Sequence, residues 1–206
     1  VRIWDITIPM RPGLAGWPGD VPFRLDWTLR QRDGASVNVG AVHLSIHTGT
    51  HVDAPFHFDS HGPAIDAVPL EPYLGPCQVI DVSGSESIAL EAVRDQLQPA
   101  IRRVLLRTGG WTDHCVFPAT IPVMESHLVQ WLGERATLLV GLDLPSVDQI
   151  DSKALSVHHA LKAHHIAILE SANLTEVEPG IYNLIALPMS IVGGDGAPVR
   201  AVLARP

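Results

Sequence analysis

The chain has 206 residues, 46% of them hydrophobic and 17% charged, with a formal net charge of −8. That is enough apolar material for a packed core and too little charge for a disordered chain, on a length that suits a single domain spanning 1–206. No cluster of Lys and Arg stands out, which argues against nucleic acid and anionic membrane surfaces as partners.

In chain order, Val1-Arg2-Ile3-Trp4-Asp5-Ile6 alternates and predicts an opening strand, not a signal peptide. Arg11 to Gly19 holds two prolines, three glycines and Trp17, and reads as a loop carrying an exposed aromatic ring. Val21–Leu29 alternates loosely as a strand, and Arg32-Asp33-Gly34-Ala35 is a turn. Val37–His47 alternates again. Gln78–Val82 is a short buried strand. Ile88–Gln96 has helical spacing, with Ser87 placed to cap it. Arg103–Arg107 is a core strand and Met124–Leu132 a helix. Thr137–Leu142 is a further strand, leading into the loop 143–148. Ser156–Ala163 is helical, and Ile166–Leu169 is a strand ending at Glu170. Tyr182–Leu187 and Val199–Leu203 are late strands, and Gly193-Gly194-Asp195-Gly196 is a tight turn. Strands and helices alternate in the second half, so the fold class is α/β, one domain with a mixed β-sheet flanked by helices. No apolar run approaches the roughly 18–20 residues of a membrane span. Neither Cys77 nor Cys115 has a CxxC partner; both read as buried structural thiols, and a reducing cytoplasm suits the count.

Histidine is the unusual component. The chain has 11, and they cluster: four at positions 43, 47, 51 and 57, and four at 158, 159, 164 and 165. In His47-Thr-Gly-Thr-His51-Val-Asp53, an extended backbone would project residues 47, 49, 51 and 53 to one side. Two imidazoles and a carboxylate would then converge around Gly49, whose missing side chain leaves room for a metal and for an unusual backbone angle. These nitrogen and oxygen donors suit Zn²⁺, Mn²⁺ or Fe²⁺, and Asp53 has two oxygens with which to bridge two ions. His57 follows after a proline, either as a further ligand or as a free imidazole that moves protons. Thr48 and Thr50 would point away, into the sheet or onto the ligands. His43, His61, His114 and His127 read as peripheral.

A second group lies far along the chain. His158 and His159 sit on a predicted helix, and Glu170 ends the next predicted strand behind the apolar run Ile-Ala-Ile-Leu. A carboxylate there is costly unless it is paired or bound to a metal. Glu170 and one of the two histidines would complete a two-metal set. His164 and His165 suit the end of the helix. There is no GxSxG elbow, Walker loop or GxGxxG.

The segment His47-Thr-Gly-Thr-His51-Val-Asp53-Ala-Pro55-Phe-His57-Phe58 resembles the HxGTHxDxPxHF motif of the cyclase-like metal-dependent hydrolases. Within them, the Trp17-Pro18-Gly19-Asp20 loop, the 141–148 segment and Leu169-Glu170 resemble the bacterial kynurenine formamidase branch. The resemblance implies a swivelling β/β/α-type fold, a homodimer and two zinc ions per chain. His47, His51 and Asp53 would hold one ion. Asp53, Glu170 and a histidine matching His158 would hold the other, with His159 adjacent as the alternative. His57 would be the catalytic imidazole and Trp17 the substrate-contacting aromatic. The implied reaction is hydrolysis of N-formyl-L-kynurenine to L-kynurenine and formate. The rivals are a sibling hydrolase acting on another amide or lactam, such as an isatin-type ring, and a non-catalytic metal-binding protein.

Overall fold

The alternating N-terminus forms β1 (Arg2–Asp5), and the next two alternating runs form β2 (Arg24–Leu29) and β3 (Val39–His43), in a computed structural model that describes residues 1–205. Pro206, the last residue of the expected domain, lies outside the described residues. Then come β4 (His51–Asp53), β5 (Leu74–Asp81), β6 (Ser87–Ile88) and α1 (Leu90–Arg94). β7 (Arg103–Arg107), β8 (Val123–Met124), α2 (Ser126–Glu134) and β9 (Leu139–Leu142) follow. The chain continues through α3 (Ser156–Ala163), β10 (Ala167–Glu170), β11 (Gly180–Ile185), β12 (Gly196–Pro198) and β13 (Val202–Arg205).

Nine strands make one mixed sheet in the order β1-β13-β11-β5-β7-β9-β10-β4-β12. β5, β7, β9 and β10 are mutually parallel, and antiparallel pairs extend the sheet on both sides. The parallel strands are continuous apolar runs because both their faces are covered. On one face Ile80, Val104, Leu106, Val140 and Ile168 pack against Val93, Leu128, Leu132 and Leu161 of the three helices. On the other, Val52, Val79, Leu105, Leu139, Leu169, Leu184 and Leu203 form a core of the sheet's own side chains. The sheet curls around that second core. The chain leaving β1 reaches the end of β10, where Thr7 bridges Ala172 and the Asn173 N–H donates to the Ile6 carbonyl at 2.8 Å.

Several boundaries differ from expectation for local reasons. The strand starting near Val37 stops at His43, and residues beyond it turn. Ser87 caps nothing: Ser87-Ile88 pairs with Val123-Met124 as a small parallel ladder, and the Ser87 hydroxyl donates to the Glu125 carboxylate at 2.9 Å. The flanking helices therefore begin at Leu90 and Ser126. β5 starts four residues before the predicted strand, through Gly75 and Pro76. β12, a Gly-Ala-Pro segment, was not predicted at all; it adds to the sheet beyond β4. Cys77 is buried, which pushes its thiol up to about 12, whereas Cys115 is exposed, contrary to expectation.

Candidate active site

The histidine segment reaches convergence by a turn, and the extended strand expected over residues 47–53 is not present. Residues 45–50 form successive turns, and only 51–53 join the sheet. Gly49 has φ +66°, in the left-handed region that glycine tolerates. The turn swings His47 back over Asp53, with Nδ1 3.1 Å from Asp53 Oδ1. The Gly49 carbonyl accepts from His51 Nδ1–H at 2.8 Å, which leaves His51 Nε2 facing inward. Thr48 and Thr50 are buried, and the Thr50 hydroxyl ties the turn down. It donates to the Ser171 carbonyl (2.6 Å) and accepts from the Ile8 N–H (2.8 Å).

The second half of the site comes from two neighbouring elements. β10 pairs with β4 so that Glu170 lies opposite His51, which places the carboxylate beside the imidazole. His51 Nε2 is 3.4 Å from both Asp53 Oδ1 and Glu170 Oε2. Ser171, at φ +58°, bends the chain out of the strand immediately afterwards. Glu170 Oε1 also accepts from the Val147 N–H at 3.0 Å. α3 points its first turn inward, with His158 Nε2 3.5 Å from Asp53 Oδ2 and 3.6 Å from Glu170 Oε1. Of the adjacent pair, His158 is 3% exposed and joins the cluster, whereas His159 is exposed on the far side of the helix.

Two carboxylates in the site were not picked out from sequence. Asp148 accepts from His158 Nδ1 at 2.6 Å and from the Val157 and His158 backbone N–H groups at 3.0 Å. It thereby caps α3 and fixes the ring so that Nε2 faces Asp53. Asp195 lies 3.0 Å from His47 Nε2 and 3.1 Å from His57 Nδ1. Asp148 lies outside the local capping position of α3, which Leu155 occupies, so the pattern that marks helix starts does not reach it. Asp195 carried no signal beyond its Gly-rich turn.

Asp53, His51, His158 and Glu170 are each less than 5% exposed, and among the described residues no Lys or Arg pairs with them. Burial pulls the His51 and His158 pKa values down, but the carboxylates beside them outweigh it. Asp53 and Glu170 push His51 up to about 10, and Asp148 and Asp53 push His158 up to about 10. Burial would raise Asp53, yet the neighbouring His158, His47 and His51 imidazoles hold it well below the usual carboxylate range. Even so, His51 Nε2 and Asp53 Oδ2 are buried without a hydrogen-bond partner. Orphaned donors and acceptors of this kind are costly in a protein interior unless something binds them. His47, His51 and Asp53, and separately Asp53, His158 and Glu170, bring their ligand atoms within 4.8 Å of one another. The orphaned atoms, the nitrogen and oxygen donor chemistry and the shared Asp53 all fit one or two divalent cations.

This cluster floors a cavity of about 530 Å³ that also exposes His57. His57 ends the single 3-10 turn Pro55–His57 after β4, with its ring 4.1 Å from that of His47, centre to centre. Trp17 stands at the mouth, 40% exposed and edge-on to Phe117 at 5.3 Å, with Trp111 behind Phe117. Lys153 is the one Lys or Arg in the lining. His43 and His61 are exposed, in line with a peripheral role.

Comparison with known proteins points the same way. The family model described as Cyclase matches residues 4–149. A kynurenine formamidase of Bacillus cereus is 43% identical over 199 residues, covering 97% of this chain and 95% of that protein. A solved structure described as a potential metal-dependent hydrolase with cyclase activity superposes with a TM-score of 0.81 at 22% identity, covering 100% of this chain and 99% of that one. Isatin hydrolase A of Ralstonia solanacearum gives a TM-score of 0.82 at 24% identity, covering 98% and 91%.

Proposed function

The chain belongs to the Cyclase family, and from that premise we infer that it is a metal-dependent amidohydrolase cleaving N-formyl-L-kynurenine to L-kynurenine and formate. The observation that carries this reading is the match to formamidases over nearly the whole chain. The isatin hydrolases share the fold at much lower identity, which disfavours the isatin-type alternative. A purely metal-storing protein would have no need of an open aromatic pocket over its ligands.

We assign one ion to His47, His51 and Asp53, and a second to Asp53, His158 and Glu170. The orphaned atoms of His51 and Asp53 support the assignment, and the His/Asp/Glu donor set supports Zn²⁺. A divalent ion bound there would acidify a water molecule and polarise the formyl oxygen. The remaining work falls to the chain's own side chains. Trp17, Trp111 and Phe117 give the anthraniloyl ring an apolar wall to lie against. Lys153 offers a cation to the substrate's α-carboxylate. His57 borders the same cavity and carries the proton that water gives up to the departing aryl amine. An aniline is a better leaving group than an alkyl amine, so one well-placed imidazole is enough.

Residues 1–206 act as a single hydrolase domain in this reading. No helix among the described residues is long and apolar enough to cross a membrane, and two free cysteines suit the cytoplasm. A homodimer is supported by the β2–β3 hairpin, which leaves Leu25, Trp27, Leu29, Val39 and Val42 exposed. A two-stranded hairpin is marginal without something packed on it. The test is turnover of N-formyl-L-kynurenine and of isatin by the wild type and by His57→Ala. The wild type should prefer the formamide, and His57→Ala should lose about 10²–10⁴-fold in kcat while retaining metal. Faster opening of isatin would overturn the substrate, and wild-type protein that binds metal but hydrolyses neither compound would overturn the enzyme.

A further inference from the structure

The Gly193-Gly194-Asp195-Gly196 turn supplies a carboxylate that the reaction as described leaves unused. Its backbone is tightly anchored. The Asp195 carbonyl accepts from the Ala54 N–H at 2.9 Å, the Gly194 carbonyl from the Ile65 N–H at 2.8 Å, and the Gly193 N–H donates to Asp66 Oδ1 at 2.9 Å. β12 begins at the next residue and runs antiparallel to β4, with Gly196 opposite Asp53. Gly196 has to be glycine for this approach, because a Cβ there would lie 2.8 Å from His47 Cε1 and 2.9 Å from the Val52 carbonyl oxygen.

His57 is anchored to the same residue as Asp195. Its N–H donates to the Ala54 carbonyl at 2.9 Å, while the Ala54 N–H goes to Asp195. Two side chains separated by 138 residues are thus fixed to one residue at the end of β4. The result is the 3.1 Å contact between His57 Nδ1 and Asp195 Oδ2. A carboxylate accepts and cannot donate, so a neutral imidazole facing it carries its proton on Nδ1. That tautomer leaves Nε2 with its lone pair free, on a ring that lines the cavity where the proton has to be taken up and passed on.

We propose that Asp195 is a positioning residue for His57, holding the ring's orientation and its Nδ1–H tautomer so that Nε2 serves as the proton-carrying atom. This rests on the reading of His57 as the proton carrier. The same carboxylate also touches His47, so an effect through metal binding has to be separated from one through His57.

Three measurements on Asp195→Asn make that separation. The first is steady-state kinetics on N-formyl-L-kynurenine with metal content alongside. We expect kcat to fall by about 10- to 100-fold, with KM within about twofold and metal content as in the wild type. The second repeats the substitution in a His57→Ala background, where it should cost nothing further because the residue it acts through is gone. The third is independent of turnover. Nitrogen-15 NMR of the zinc-loaded protein, with His57 assigned by its loss in His57→Ala, should show His57 protonated at Nδ1 in the wild type and no longer held so in Asp195→Asn. An unchanged kcat, a metal loss matching the activity loss, a multiplied loss in the double variant or a wild-type His57 protonated only at Nε2 would each overturn the inference. Failure of the wild type to hydrolyse the formamide would instead sink the functional reading, and the NMR result would still decide the role of Asp195.

Discussion

At the floor of the pocket, Asp53, His51, His158 and Glu170 are almost fully buried, and their orientations are tied to backbone or neighbouring carboxylates. At the mouth, Trp17 keeps 40% of its surface exposed and rests on a single neighbouring ring, and Lys153 is exposed without an ion pair among the described residues. A floor held this rigidly suits donors that have to be placed to a fraction of an ångström. The mouth has to admit and release a substrate, so its side chains are held loosely. Substitutions on the floor should therefore remove the reaction, and those at the mouth should change only how well the substrate is held.

The largest effect is expected at Asp53, the carboxylate common to both halves of the cluster. Asp53→Ala should bring bound metal below one equivalent per chain and lower kcat by at least about 10³-fold, since several kcal/mol of charge stabilisation leave with the ions. Elemental analysis with parallel kinetics checks both, and full metal occupancy in the variant would break the contrast. Next is Asp148, which touches no proposed ion but orients His158. Asp148→Asn should weaken metal binding or activity by about 10- to 100-fold, read by titration with zinc. His159→Ala, one residue further along α3 and outside the cluster, is the matched control and should leave both unchanged.

How these residues could be found differs from one to the next. The spacing of His47, His51 and Asp53 picked out side chains that do come together, although their convergence depends on the left-handed turn at Gly49 and not on strand alternation. Glu170 stood out because a carboxylate closing an apolar run demands a partner, and the helix around His158 was recognisable with its bounds unchanged. Which of His158 and His159 faces inward follows from how α3 lies on the sheet, a tertiary fact that local pattern does not carry. Asp195 and β12 were hidden for the same reason. Gly-Ala-Pro has little intrinsic preference for a strand, and only the pairing with β4 makes it one.

At the mouth the expected effects are smaller and fall on KM. Trp17→Ala should raise KM for N-formyl-L-kynurenine by about 2- to 10-fold, the scale of one aromatic contact, with kcat nearly unchanged. Lys153→Ala should raise it by no more than about fivefold, because an exposed ion pair is weak. The same variant should leave turnover of formanilide untouched, as that substrate has no α-carboxylate. An equal loss on both substrates would show that Lys153 supports the pocket rather than reading the substrate.

The most direct test of the whole account is turnover of N-formyl-L-kynurenine by protein stripped of metal with a chelator and then titrated with Zn²⁺. Activity should disappear on stripping and return in proportion to added zinc, levelling off at two equivalents per chain; undiminished hydrolysis by the metal-free protein would rule out a metal centre.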